Sequence, residues 1–219
     1  MRIQIQDLDV TIRPETPQDY RTVEEMTRDA FWNQYFPGCD EHYTAHTLRA
    51  HPDFMPELDW VAEIDGRIVG NIMYTRSRLE ASDGTRLDTV TFGPVWFTPD
   101  LQRRGIGGTL IRHTLELATA QGAPAVIILG DPHNYCLHGF RNGKDLGIAD
   151  HDGRYPFGML AKELREGALA GKAWKYRYSD AYTIDQDAVR AFDATFAPRT
   201  AEWKPSQEVF SMMVRAHLE

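Results

Sequence analysis

Residues 98–113 read TPDLQRRGIGGTLIRH. Glycine fills three of the four positions 105–108, directly after the pair Arg103 and Arg104, and a helical pattern begins just beyond. A helix start carries amides without intrahelical partners at the positive end of its dipole. Glycines there let an anion come right up to those amides. The stretch therefore predicts a site for a pyrophosphate. It is neither the G-x-G-x-x-G dinucleotide fingerprint nor a phosphate loop with Gly-Lys-Ser/Thr. A glycine-rich turn that merely opens a helix is the bland alternative, and the agreement of motif, position and flanking periodicity weighs against it.

Working outward, 103–121 reads as a helix. Ile106, Leu110, Leu117 and Ala118 form its buried stripe with Ile111 beside it, Gly122 caps it and Pro124 stops it. AVIIL, 125–129, is a buried strand beside a parallel neighbour, so 87–129 makes a right-handed β-α-β unit. Upstream, Asp65-Gly66 and Asp83-Gly84 punctuate an antiparallel meander. Gly93-Pro94 falls inside the strand 87–97, where proline predicts a bulge that splays the sheet. At the front, 3–12 reads as one strand. Thr16 as N-cap and Pro17 at the first helical position open a helix running to about Phe31, and a second helix covers 41–50.

Past 129, Asp131-Pro132 starts a short helix through about 138, and GIAD (147–150) and YPFGMLAKEL (155–164) read as two strands. In the tail, AWKYRYSDAY (173–182) alternates like an edge strand, and Asp185 and Ser206 are placed as caps of two last helices. The fold class is α/β: a mixed sheet with antiparallel N-terminal strands, a central β-α-β unit and a splayed fourth and fifth strand. One domain is expected over 1–166, with a C-terminal extension over 167–219 that packs on it or on a partner chain.

Bulk composition narrows the function. The 219 residues are 42% hydrophobic and 26% charged, enough for a real core. The net charge of −8 argues against a nucleic-acid partner, and no apolar run is long enough for a membrane span. The opening MRIQIQDLDVTIRP alternates as a strand does, unlike a signal peptide. Two distant cysteines, Cys39 and Cys136, suit a reduced cytoplasmic setting.

QRRGIG, 102–107, matches the Q/R-x-x-G-x-G/A motif, and HNYCLHGF, 133–140, contains Y-x-x-x-G-F from Tyr135 to Phe140. On these residues the chain resembles the GNAT acetyltransferase superfamily. GDPHNYCLHGF is similar to a bacterial branch in which two tyrosines stand together; here Asn134 replaces the first. The resemblance implies acetyl-CoA as co-substrate and no metal. Its pyrophosphate would lie on the amides of Arg103 to Thr109, so that Gln102, Arg103, Arg104, Gly105, Ile106, Gly107, Gly108 and Thr109 bind it, with Asn134 nearby. Its pantetheine arm would run along Trp96, Phe97 and Thr98, with N–H groups near Phe97 polarising the thioester. An amine of a small molecule or peptide would attack directly, and Tyr135 would protonate the leaving thiolate. Phe31, Tyr35 and Glu41 would line the acceptor side. Asp88, the one carboxylate of the fourth strand, is too near its start, so water or Glu41 takes the ammonium proton. A homodimer fits the family.

Several residues invite other readings. Cys136 lacks a His-Asp or His-Asn arrangement and reads as a small core residue. His42 and His46, four apart without a third ligand, read as a solvated pair. Half of the stripe Phe31, Trp32, Tyr35 and Phe36 is plain core. Two other functions stay open: a non-catalytic acyl-CoA-binding regulatory module, and a binder of another phosphate ligand.

Overall fold

In the computed structural model, which describes residues 1–101 and 104–219 (with the side chain of residue 100 left aside), the alternating opening stretch folds back on itself. β1 (Arg2–Ile5) and β2 (Leu8–Pro14) form a hairpin in place of the single strand expected over 3–12. Gln6 takes the left-handed conformation at its turn, φ 56°, at a position with no turn signal in the sequence. α1 (Tyr20–Phe31) starts later than Pro17. The Asp19 carboxylate accepts from the Thr16 amide (2.9 Å), the Thr16 hydroxyl (2.7 Å) and Arg13 (2.6 Å), so 16–19 closes as a turn before the helix. α2 (Glu41–Leu48) follows.

The meander forms at its two Asp-Gly turns. β3 (Trp60–Ile64) and β4 (Arg67–Ala81) meet at Asp65-Gly66, both with positive φ. β4 then pairs antiparallel with β5 (Arg86–Phe97). Their register slips where Ile72 faces Val95 but Tyr74 faces Phe92, which leaves the cis Gly93-Pro94 peptide in a bulge on β5. α3 (Ile106–Ala120) begins three positions later than the sequence suggested, behind Gly105 as its N-cap at φ 92°. It returns the chain to β6 (Ala125–Leu129).

Short elements complete the sheet: α4 (Pro132–Tyr135), β7 (Arg141–Asn142), β8 (Ile148–Ala149), β9 (Tyr155–Pro156) and β10 (Met159–Glu163). The strand expected over 155–164 breaks at Gly158, where a side chain would stand 3.1 Å from the Gly130 carbonyl. β11 (Trp174–Arg177) is no edge strand, because it pairs antiparallel with β4 and parallel with β8. The tail ends in α5 (Gln186–Asp193), α6 (Pro205–Arg215) and β12 (His217–Leu218). Asp185 caps α5 through the Asp187 amide (2.8 Å), as expected, whereas α6 opens at Pro205 and holds Ser206 inside it.

The main sheet runs β1-β2-β3-β4-β5-β6-β10-β7. Ile106, Leu110, Ile111, Leu115 and Ala118 press α3 onto Val69, Ile72, Tyr74, Phe92 and Ile128. Leu117 is only partly buried, and Thr114 takes an inward position instead, bonding the Tyr74 hydroxyl at 3.0 Å. Cys136 is exposed on the turn after α4, against the expectation of a core residue, because that turn has no layer above it.

Candidate active site

β5 and β6 pair parallel at Val90↔Val126, and past that point they part. β6 is held from its other side by β10, Met159↔Leu129 through Glu163↔Ala125. The bulge at Gly93-Pro94 turns the end of β5 away, so a gap opens between the C-terminal ends of the two strands. Along β5 the Thr98 amide is committed to the Val69 carbonyl (2.9 Å), and Trp96 stands opposite Asn71 in the same register. In an antiparallel ladder the alternate residue turns its backbone the other way. The peptide groups of Phe97 are thus directed to the gap side, while those of Trp96 and Thr98 face β4. This narrows the expectation that all three present backbone to a ligand. The Trp96 indole lies under α1 with Val23, Val61 and Ile68, and neither its Nε1 nor the buried Thr98 hydroxyl has a partner among the described residues.

The start of α3 abuts this gap. Among the described residues no protein acceptor is found for the amides at 105–108. The Thr109 amide bonds the Gly105 carbonyl (3.1 Å), as does its hydroxyl (3.0 Å), which removes Thr109 from the set of available amides. Gly107 has a second reason to lack a side chain: a Cβ would come within 2.9 Å of the Phe97 ring, and one on Gly70 would come within 2.4 Å from the other side. Gly108 lies against His138. The Arg104 guanidinium bonds Gln6 (3.2 Å) and Asp7 in the β1–β2 turn, so it does not point at the helix start. Gln102 and Arg103 lie outside the described residues.

Tyr135 ends α4 at the far side of the gap, its ring 5.7 Å from Phe92 and 6.0 Å from Phe140. Gly130 makes room for that ring, since a Cβ there would stand 2.6 Å from it. No hydrogen-bond partner of its hydroxyl is found among the described residues. Burial, reinforced by Tyr35 and Asp131, pushes the phenol above its ordinary range, so it stays protonated. Asn134 is exposed beside it, its amide bonded to the Asp131 carbonyl (3.0 Å).

Two of the acceptor-side residues have raised proton affinities. Glu41 is the first residue of α2, and burial, then the charge of Asp40, push its carboxyl up to about 8. Tyr35 rises to about 12 through burial and the charges of Glu41 and Asp131. The charges of Glu41 and Asp131 both bear on Tyr35, and Tyr35 and Asp131 both bear on Tyr135. Phe31 packs its ring 5.8 Å from Tyr35 and on the Trp96 cluster. Asp131, which the sequence offered only as a helix cap, and Phe210, which stacks on Tyr35 at 4.1 Å, were not anticipated. Nothing local in the tail signals the Phe210 contact, which spans 175 positions of chain.

Elsewhere, Asp88 lines a groove of about 1030 Å³ at the opposite end of β5 with Asp53, Arg76 and Asp180. Its distance from the gap rules it out as a base there. Of the pair read as solvated, His46 is exposed and bonds Glu24 (2.9 Å), whereas His42 is fully buried against Phe192 and Phe196 of the tail. Among the described residues no helix is long and apolar enough to cross a membrane.

Comparison with known proteins agrees with this geometry. Residues 24–140 match the model of the Acetyltransferase (GNAT) family. An uncharacterised N-acetyltransferase of Escherichia coli strain K12, YjhQ, is 33% identical over 85 residues, which are 39% of this chain and 46% of that protein. The chain thus matches a little under half the length of this curated relative. Among solved structures, the fold is similar to a GNAT family N-acetyltransferase of Escherichia coli, YhbS, in complex with CoA. That match has a TM-score of 0.68 and 23% identity, covering 81% of this chain and 93% of that one. It is also similar to a GNAT family acetyltransferase of Brucella melitensis in complex with acetyl-CoA, with a TM-score of 0.60 and 25% identity over 79% and 97% of the two chains. A strand pair that parts beside a glycine-opened helix, in a chain whose matching residues span both, makes this protein a member of the acetyltransferase (GNAT) family.

Proposed function

We propose that the protein transfers the acetyl group of acetyl-CoA to a primary amine by direct attack. The observation that carries the reading is the set of amides at 105–108, which have no protein acceptor among the described residues, at a helix start beside the β5–β6 gap. The two similar solved structures are complexes with CoA and with acetyl-CoA. The diphosphate rests on the α3 start, and the pantetheine arm follows the gap side of β5. This aims the thioester at Tyr135.

The chemistry then needs one acid and one base. Glu41, poised near neutrality, takes the proton of the incoming ammonium directly or through water. The amine nitrogen bonds to the acetyl carbon, the carbon–sulfur bond breaks, the Tyr135 proton passes to the leaving sulfur, and the surplus proton on the new amide nitrogen returns, directly or through water, to the Tyr135 oxygen. N–H groups on the gap side of β5 stabilise the charge that develops on the carbonyl oxygen. A non-catalytic acyl-CoA module would retain the cradle but has no use for a protonated phenol and a raised carboxyl.

Mass spectrometry of an amine panel incubated with acetyl-CoA tests the reading. Acetylated product is expected, and Tyr135→Phe should lower kcat by about a hundredfold with unchanged acetyl-CoA affinity. If wild type and variant turn over every amine alike, Tyr135 is not the acid. If no amine is acetylated although acetyl-CoA binds, the non-catalytic module is the better description.

A further inference from the structure

Arg112, His138 and Lys162 gather beside the start of α3. Gly108 supplies one of the four amides there, and the space that a side chain would take on it is filled from outside. A Cβ on Gly108 would stand 3.1 Å from Cε1 of His138, 3.8 Å from its Nε2 and 3.3 Å from the Arg112 guanidinium. Arg112 lies one turn along α3 and reaches back toward the helix start, as helical side chains do, donating to the Thr109 hydroxyl (3.1 Å). His138 ends the turn after α4. Lys162 of β10 lies against that turn. Its Nζ donates to the His138 carbonyl (2.5 Å) and would meet a Cβ on Gly139 at 2.8 Å.

The chain carries a net charge of −8, and Arg104 is paired with Asp7. Among the described residues no carboxylate forms an ion pair with Arg112, His138 or Lys162. Burial first, then the charges of Arg112 and Lys162, hold the half-buried His138 below the ordinary histidine range. Near neutral pH the ring is therefore largely uncharged. An anion on the amides of 105–108 reverses this balance, because its negative charge offsets Arg112 and favours the imidazolium.

We propose that His138 is a further binding residue of the coenzyme site and makes its affinity depend on pH: when the diphosphate lies on the α3 start, the ring takes a proton from solvent and pairs with the diphosphate beside Arg112. This rests on the acetyl-CoA reading above and adds a proton to the binding equilibrium. The bound state holds that proton more tightly than the free protein does. The gain in affinity is thus complete below the free-state pKa and is lost as pH rises through the bound-state value.

Calorimetry of the full-length protein with dephospho-CoA tests this. The probe keeps the diphosphate and lacks the 3′-phosphate, whose own second ionisation at about pH 6 would also exchange protons. Titrations at pH 6.5 in two buffers of different ionisation enthalpy should reveal uptake of about half a proton per ligand. Affinity should fall at least threefold from pH 6 to pH 8. His138→Gln, which keeps a polar side chain at a half-buried position, should abolish the uptake and flatten the pH dependence while dephospho-CoA still binds. Equal heats in both buffers for the wild type, or an uptake that survives His138→Gln, overturns the role of His138 and leaves the acetyl-CoA site standing. If neither CoA nor dephospho-CoA binds, the acetyl-CoA reading itself fails, and the assignment of His138 falls with it.

Discussion

At the scale of single residues, the proposed reaction depends on separating two proton affinities. In that proposal Tyr135 and Glu41 carry opposite tasks, because burial raises a phenol out of reach of neutral pH and lifts a carboxyl into it. The sign for activity follows directly. Glu41 must be ionised to accept a proton, so kcat/KM should rise with pH through about 8 and level off above it. Glu41→Gln should remove that rise, leaving the titration of the amine itself, and lower the rate at pH 8 by roughly a hundredfold. An unchanged profile in a pH series on the variant would remove Glu41 from the reaction. Tyr135 was legible in the sequence because it stands in a fixed pattern, Y-x-x-x-G-F, downstream of the glycine motif. Glu41 could be named but not ranked, since its altered affinity arises from what surrounds it after folding. Asp131 looked like a cap and is one, accepting from the His133 amide at 2.9 Å, which hid its second role as a charge felt by both tyrosines.

At the scale of elements, the decisive joint is the packing of α3 on the end of β5. The Phe97 ring sits between Gly70 and Gly107, each too close to it to carry a Cβ. This couples the aim of the helix start to the course of the strand along the gap. Gly107→Ala should therefore weaken acetyl-CoA binding at least tenfold by calorimetry, and cost about 1–3 kcal/mol of stability as the ring and helix shift apart. Binding unaltered in the variant would show that the joint does not set the cradle. Much at this scale could be read from the chain: the Asp-Gly hairpins, the bulge at Gly93-Pro94 and the strand 125–129 all rest on local chemistry of turn and β-branched residues. The start of α3 could not be fixed, because glycine serves as well before a helix as inside its first turn. The second-half strands were blurred for a related reason. Their two-residue pairings, such as Arg141–Asn142 with β10, are imposed by neighbours and leave no periodic trace.

At the scale of the whole molecule, the tail is bolted to the front of the domain. Arg28, 3% exposed, donates to both Asp193 carboxylate oxygens (2.6 and 3.1 Å), and His42 approaches the same carboxylate at 3.2 Å. Phe192 and Phe196 cover the His42 ring. Burial pulls His42 down to about 4, with Asp193 opposing this and Arg28 adding to it. A group whose folded affinity for protons is depressed supports the fold above its unfolded pKa and loses that support as pH falls. Stability should thus be fully present above about pH 6.5 and decline by roughly 3 kcal/mol toward pH 4. Urea melts between those limits should show the slope, and His42→Leu should flatten it. A slope that survives the substitution would place the acid sensitivity elsewhere. The sequence identified a tail of changed character, but its docking rests on contacts across more than 150 positions, Arg28 to Asp193 among them, which no local pattern encodes.

The predictions for Tyr135, Glu41 and Gly107 depend on the start of α3 receiving the diphosphate. Titration of the isotopically labelled protein with CoA, followed through its backbone amide resonances, tests that claim most directly. The account predicts that the amides of Gly105, Ile106, Gly107 and Gly108 move together and saturably, while Gly122 at the other end of the helix stays in place. CoA binding that leaves these four resonances still would contradict it.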